Sequence, residues 1–123
     1  SKTLAEKKAM YRQYVTRASN RTSVGKVIKL ILKGKPIVFQ CKRGWDRTGW
    51  VAAVIQGLLG ASSADIMHEF MKSNSYYGNG FRQDYLDAAV SQMKSSYGSY
   101  EKYVLACGVT SAEIKELRKR LTV

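Results

Sequence analysis

The chain has 123 residues, 45% of them hydrophobic, which suffices for one domain with its own core and excludes a disordered or collagen-like chain; no apolar run approaches the roughly 20 residues of a membrane span. The net charge is +12, and residues 1–50 carry 13 of the 21 Lys and Arg but two of the nine acids. An electrostatic field of this sign attracts nucleic acid, anionic lipid or phosphorylated substrates, and the charge alone does not distinguish among them. Some of the basic residues can equally form a solvated surface that keeps the protein soluble.

The first third of the chain predicts two helices. Residues 4–18 form a basic amphipathic pattern, and residues 20–23 are typical of a cap before a second helix that ends near Lys33. Gly34 stops that helix, and Pro36 prevents its return. The positions expected to face inward in the first helix are Leu4, Met10, Tyr11, Tyr14 and Val15, and the apolar residues of the second are Val24, Val27, Ile28, Leu30, Ile31 and Leu32.

Residues 36–40 are a short apolar and β-branched run, which predicts one buried central strand. After a short segment, an apolar helix is predicted from about Arg47 to Leu59. The rest of the chain predicts a helix over 62–73, a loop over 74–81, and helices over 82–96, 99–107 and 111–121. In the last of these, Thr110 and Glu113 form a capping box.

One predicted strand in a mostly helical chain implies an incomplete sheet, because a lone strand leaves buried backbone groups unpaired. We therefore expect an α/β fold whose remaining strands lie outside this sequence. Since the first residue is Ser1 and not Met, we also expect a processed or trimmed start.

The segment between strand and helix carries the chemistry. It runs from Cys41 to Gly49, and it places a cysteine at the end of a strand and Arg47 and Thr48 at the start of a helix. A loop of this kind can direct successive backbone N–H groups inward, and the helix dipole adds positive charge at the same place. The residues expected to surround a bound phosphate are Lys42, Arg43, Gly44, Trp45, Asp46 and Arg47.

Each polar group in this segment has an expected role. A cysteine at a helix N-terminus near cations titrates at about 3.5–7.5, so Cys41 is expected to be a thiolate nucleophile that forms a phosphocysteine. Arg47 offers a planar fork to two phosphate oxygens, and Thr48 can hydrogen-bond the sulfur. Asp46 is a general acid or positions the hydrolytic water; it can equally cap the helix or hold Arg47 in an ion pair.

The other titratable residues predict no metal and no cofactor. Two cysteines, Cys41 and Cys107, give neither a disulfide framework nor a zinc pattern, and the chain has one histidine, His68. Cys107 is interpreted as a small core residue, and His68 as a packing or surface residue. A reactive thiol requires a reducing environment, which leaves a cytoplasmic or a secreted location open.

The pattern Cys41-x5-Arg47-Thr48 resembles the signature loop of the protein tyrosine phosphatase superfamily. The ending Asp46-Arg47-Thr48-Gly49 is similar to bacterial tyrosine and phosphoinositide phosphatases, and residues 44–48 also resemble the myotubularin lipid phosphatases. Two positions depart from the pattern. Gln40 stands where the family usually has His, and Trp45 stands where the bacterial enzymes usually have Lys, a role that Lys42 and Arg43 could take over.

The resemblance implies that residues 1–123 are a single domain, the C-terminal catalytic part of a phosphatase domain. A missing N-terminal segment or a second chain would complete the sheet. The expected function is hydrolysis of phosphotyrosine, of phosphoinositide or of both, without a metal. The alternative is a weak or inactive module of the same fold that binds phosphate or anionic lipid at a membrane surface. A nucleic-acid binder is the third hypothesis, but the sequence contains no recognisable nucleic-acid motif.

Overall fold

The computed structural model describes residues 2–34, 42–77 and 80–121, and these ranges are mostly helical. The helices are α1 (Leu4–Thr16), α2 (Ala18–Leu32), α3 (Lys42–Leu58), α4 (Ser63–Tyr77), α5 (Gln83–Tyr97), α6 (Tyr100–Ala106) and α7 (Ser111–Leu121). The described part of the chain is therefore mostly helical, as expected. The predicted strand over 36–40 lies outside the described residues.

Capping boxes begin the first and last helices. At α7, Thr110 Oγ1 accepts from the Glu113 N–H, while the Thr110 N–H donates to Glu113 Oε1. This confirms the predicted cap. The same reciprocal pair joins Thr3 and Glu6 at the start of α1. Each box satisfies two backbone donors that an uncapped helix leaves without partners.

The boundary between α1 and α2 differs from the prediction. Residues 20–23 do not precede the second helix but lie inside it, because α2 already begins at Ala18. The Asn20 amide and the Arg21 guanidinium reach back across the junction instead. They donate to carbonyl oxygens in the last turn of α1, those of Gln13, Val15 and Thr16. The polar cluster therefore caps the end of α1 rather than the start of α2.

Two other helices are longer than predicted. The third begins at Lys42 rather than near Arg47, so its first turns include residues expected in a loop. The fourth continues to Tyr77 rather than ending near Ser73. The Asn74 side chain holds the segment that follows this helix, because its amide donates to the Phe81 carbonyl and its oxygen accepts from the Phe81 N–H.

The core lies between α1, α3, α5 and α6, and large aromatic side chains fill its centre. Trp50 is fully buried, and its Nε1–H donates to the hydroxyl of Tyr103 at 3.0 Å. The Tyr103 hydroxyl in turn donates to the Tyr14 carbonyl at 2.9 Å. Leu4 was expected to face inward, but it is 40% exposed, as is Leu30 of α2, because each lies on the solvent side of its helix. The other buried residues of α1 and α2 include Tyr11, Val15, Val24 and Ile28.

Glycine lets α2 approach the end of α6 closely. A Cβ atom at Gly25 would lie 2.0 Å from the backbone carbonyl oxygen of Cys107. Because backbone atoms at a packed helix end cannot move aside cheaply, this position accepts no side chain. Gly57 likewise lets α3 approach the start of α6 closely, since a Cβ atom at Gly57 would lie 2.5 Å from the ring of Tyr100.

Gly25→Ala should therefore destabilise the protein. Helix propensity alone would favour alanine by about 1 kcal/mol, but the clash with the Cys107 carbonyl outweighs it, and we expect a net loss of about 2 kcal/mol. Urea unfolding monitored by circular dichroism measures the change. Thr22→Ala, at an exposed site on the same helix, is the control and should be near neutral. Equal stability of the two variants would contradict the close packing.

Candidate active site

Asp46, a residue of the predicted phosphate-binding segment, is buried, with 8% of its surface exposed. Two side chains from α1 hold its carboxylate. Lys7 Nζ lies 2.5 Å from Oδ2, and the Tyr11 hydroxyl donates to Oδ1 at 2.6 Å. A buried carboxylate is tolerable only when paired and hydrogen-bonded, so these two contacts tie α1 to the first turns of α3.

Tyr11 is itself fixed by aromatic neighbours. Its ring lies 5.2 Å from that of Tyr14, 5.4 Å from that of Tyr85 and 6.1 Å from that of Phe70. Burial, with the adjacent Asp46 carboxylate, raises the pKa of Tyr11 well above its usual range. The hydroxyl is therefore always a proton donor to Asp46 at physiological pH.

Lys7 is held less tightly than Tyr11. Its side chain is 23% exposed, and its ammonium lies 5.6 Å from the centre of the Tyr85 ring. An ammonium over an aromatic face gains a cation–π attraction. Lys7 thus contacts the Asp46 carboxylate and the Tyr85 ring while one side faces solvent.

A cleft of about 470 Å³ opens beside this pair. Arg47 is exposed and contributes to its wall. The residues lining the cleft are Lys2, Lys7, Met10, Tyr14, Asn20, Asp46 and Arg47. Three of them are cationic and one is acidic, so the cleft is suited to an anion. Burial and the Asp46 charge raise the pKa of Tyr14, and Arg47 partly offsets this effect.

The structure brings together only some of the predicted site residues. Asp46 and Arg47 share the cleft, and Thr48 is half-buried on the same helix. For residues 42–45 the structure gives the backbone, which is helical, and not the side chains. Cys41 lies outside the described residues, so its predicted position is not seen.

Sequence reasoning missed the two lysines that line this cleft, because Lys2 and Lys7 were counted only as part of the basic first half. Tyr11 was expected to face inward, and the family resemblance associated it with the approach to the active site, but its hydrogen bond to Asp46 was not predicted. The spacing of Lys7 and Tyr11 was an available signal, because residues four apart lie on one face of a helix. That signal identifies a shared face but not the partner that the face meets.

The second cysteine plays no part in the cleft. Cys107 is a buried free thiol in the core beside the Tyr103 hydroxyl, which confirms its interpretation as a small core residue. Burial raises the pKa of its thiol to about 11. His68 is exposed on α4. Among the described residues, no three His, Cys, Asp or Glu side chains cluster closely enough to bind a metal ion.

The comparisons with known proteins agree with the motif. The family model described as "Tyrosine phosphatase family" matches residues 2–123, and the chain belongs to this family. One relative is the triple specificity protein phosphatase PtpB of Mycobacterium tuberculosis, which is 24% identical over 88% of this chain and 51% of its own length. Another is a tyrosine-protein phosphatase of Nostoc commune, which is 27% identical over 69% of this chain and 38% of its own length. The chain thus spans about half, or less, of these bacterial relatives.

The described helices include none that is both long and apolar enough to cross a bilayer.

Cys107 should be unreactive in the folded protein at neutral pH, because the thiolate is the reactive form and its pKa is near 11. We expect iodoacetamide to modify Cys107 only after unfolding or at strongly alkaline pH. Alkylation followed by peptide mass spectrometry measures each cysteine separately. Modification of Cys107 at pH 8 as fast in the folded as in the urea-unfolded protein would contradict its burial.

The same shift predicts a loss of stability in alkali. The thiol has its ordinary pKa of 9.0 in the unfolded chain and a pKa of about 11 in the folded one, so between these values the unfolded chain binds fewer protons. The free energy of unfolding therefore falls as pH rises through this window. Cys107→Ala should show a shallower fall from pH 9 to 10, measured by urea unfolding, and an identical slope would contradict the assignment.

Proposed function

We propose that the chain is the catalytic part of a cysteine-dependent phosphatase that hydrolyses phosphomonoesters. The observation that carries the proposal is the position of Arg47, which lines an anion-suited cleft six residues after Cys41 in a chain of the tyrosine phosphatase family. The names of the two relatives, both phosphatases, support the same chemistry.

The proposed domain is the C-terminal part of an α/β tyrosine phosphatase fold. In this proposal residues 1–123 belong to one domain, and residues 36–40 form its central strand, paired with strands from outside this chain. The lengths of the relatives support this, since each extends well beyond the aligned region.

The start of α3 provides the proposed anion-binding backbone. The first four N–H groups of a helix have no partners within it, and here they belong to the turn that begins at Lys42. The helix dipole adds partial positive charge at this end. The proposed phosphate site therefore consists of these amides, the Arg47 guanidinium and the residues of the segment 42–47.

The proposed reaction has two steps. The Cys41 thiolate attacks phosphorus, an S–P bond forms, and the bond from phosphorus to the leaving oxygen breaks with its electron pair on that oxygen, which takes up a proton. Water then attacks the phosphocysteine, the S–P bond breaks, and the electron pair returns to the sulfur. Arg47 and the amides stabilise the charge on the transferring phosphoryl group, and Thr48 hydrogen-bonds the departing sulfur.

The lining of the cleft is suited to an anionic substrate with an aromatic or apolar portion. Tyr14 and Met10 contribute apolar surface to its wall, while Lys2 and Lys7 add positive charge beyond Arg47. A phosphotyrosine side chain and a phosphoinositide head group both carry the required phosphomonoester, and we propose these as the substrate classes.

Cys41→Ser should abolish turnover of an aryl phosphate and keep phosphate or vanadate binding, because a neutral hydroxyl replaces the nucleophilic thiolate but leaves the amides in place. Release of the phenol measures turnover, and calorimetric titration measures binding. Cys107→Ser is the matched control and should retain activity. Full activity in Cys41→Ser would refute the mechanism.

Arg47→Lys should lower kcat by about 10²–10³-fold and also weaken phosphate binding, because an ammonium cannot replace the two parallel hydrogen bonds of a guanidinium. Steady-state kinetics with the same aryl phosphate separates kcat from KM. Arg12→Lys, on the other side of α1 in the groove facing α5, is the control. An unchanged kcat in Arg47→Lys would contradict the assignment of Arg47 to the phosphate site.

The alternative is a module of the same fold that binds phosphate without turning it over, which the departure at Gln40 favours. Vanadate binding to the wild-type protein without release of phenol or formation of a phosphocysteine would support this alternative and exclude hydrolysis.

A further inference from the structure

Half of the net positive charge of the chain lies on α2 and α7. Residues 18–33 and 111–121 carry eight Lys or Arg and two acids, a net charge of +6, whereas residues 63–106 carry four Lys or Arg and five acids. Neither α7 nor the C-terminal half of α2 lines the cleft, to which α2 contributes Asn20. Binding of substrate in the cleft therefore does not account for this second concentration of charge.

Helix α7 lies against the C-terminal end of α2. The guanidinium of Arg120 donates to the carbonyl of Leu32, the last residue of α2. At the other end of α7, the capping hydrogen bond lowers the pKa of Glu113, and the nearby charges of Lys29 and Lys33 lower it further. The lysines of α2 and the basic residues of α7 therefore belong to one continuous surface.

This surface, the basic face, consists of Lys26, Lys29, Leu30, Lys33, Lys115 and Lys119. Its four residues on α2 have the i, i+3, i+4 and i+7 spacing of one helix face, and its two residues on α7 are one turn apart. All six are exposed except Lys29, which is half-buried. In the described part of the chain, no salt bridge joins one of its lysines to a carboxylate. The lysines are thus available to an anionic partner.

An exposed leucine lies among these lysines. Four large hydrophobic side chains of the described residues are at least 40% exposed, and two of them are Leu30 and Leu121, the latter at the end of α7. Lysines that surround an apolar side chain are typical of helices that lie on anionic membranes. There the apolar group enters the headgroup boundary while the ammonium groups contact lipid phosphates.

The cations of the basic face favour a lipid surface over nucleic acid. The guanidinium beside it, that of Arg120, is already engaged by Glu116 and by the Leu32 carbonyl. Nucleic acids are read by bidentate arginines or by aromatic rings that stack on bases, and the six residues of the face include neither. A lysine ammonium is a compact point charge, which suits a layer of phosphates without fixed geometry.

We propose that the basic face binds the surface of an anionic membrane, with Leu30 in the headgroup region and the surrounding lysines on the lipid phosphates. The contact is separate from the proposed phosphate site, because about 20 Å of helix lies between Asn20 at the cleft and Lys33 after the end of α2. The inference therefore goes beyond the proposed hydrolysis and does not depend on it.

Co-sedimentation of the intact chain with vesicles tests this proposal. Wild type should bind vesicles of mixed phosphatidylserine and phosphatidylcholine, and should not bind vesicles of phosphatidylcholine alone. Lys26→Gln/Lys33→Gln/Lys119→Gln should bind the mixed vesicles about 100-fold more weakly, because each lysine near an anionic membrane contributes about fivefold. Leu30→Ser should also weaken binding, because it removes the apolar group from the headgroup region.

Two further variants are matched controls. Lys72→Gln/Lys94→Gln/Lys102→Gln removes the same charge from exposed positions on α4, α5 and α6, and it should change vesicle binding by less than about threefold because charges far from the contact are screened. Leu105→Ser replaces a leucine of α6 that is as exposed as Leu30, and it should bind as wild type does. Thermal unfolding verifies that each variant is folded.

Turnover of a soluble aryl phosphate separates this inference from the proposed function. All of these variants should keep the wild-type rate, because none of their substitutions lies in the cleft. Absence of turnover in the wild type, with vesicle binding intact, would count against the phosphatase proposal and leave the membrane contact supported.

Other outcomes overturn the inference. Failure of the wild type to bind the mixed vesicles would refute it directly, and equal losses in the two triple variants would show that only net charge matters. Displacement of the vesicles by vanadate, or loss of binding in Arg47→Lys, would place the lipid contact in the cleft. Tighter binding to duplex DNA than to the mixed vesicles at the same salt concentration would assign the face to nucleic acid.

Discussion

A buried carboxylate determines how the helices of this protein must meet. Asp46 is almost fully removed from water, and leaving it unpaired there would cost several kcal/mol. Its partners, Lys7 and Tyr11, lie on another helix. Because these contacts form only when Lys7 and Tyr11 both reach the carboxylate, they favour one register of α1 against the start of α3, and the cleft lies at that junction.

The aromatic core stabilises the junction between α1 and α3. The hydrogen bonds from Trp50 to Tyr103, and from Tyr103 to the Tyr14 carbonyl, connect α3 and α6 to the backbone of α1. Close contacts at Gly25 and Gly57 let α2 and α3 approach α6 and its C-terminal end. The residues that line the cleft are thus supported by a closely packed interior, which limits how far the carboxylate and its donors can move.

Part of the positive charge of the first half of the chain lies at the cleft, where Lys2, Lys7 and Arg47 line the wall. The family resemblance led us to expect a lysine at the position of Trp45, and the sequence has no cation there. Helix α1 and the residues before it provide Lys2 and Lys7 to the same cleft. Positive charge that one segment lacks can thus reach the cleft from another, because the field there depends on distance and not on chain position.

The sequence by itself determined what local chemistry decides: the helices, the cap formed by Thr110 and Glu113, the buried position of Cys107, and the motif that indicated the family. Helix ends were less certain, because Asn20 and Arg21 cap a neighbouring helix and not their own. The tertiary structure alone decided the partners of Asp46, which lie 39 and 35 residues away in the chain. Periodicity shows which face of a helix is buried, but the contacts of that face depend on how the helices pack.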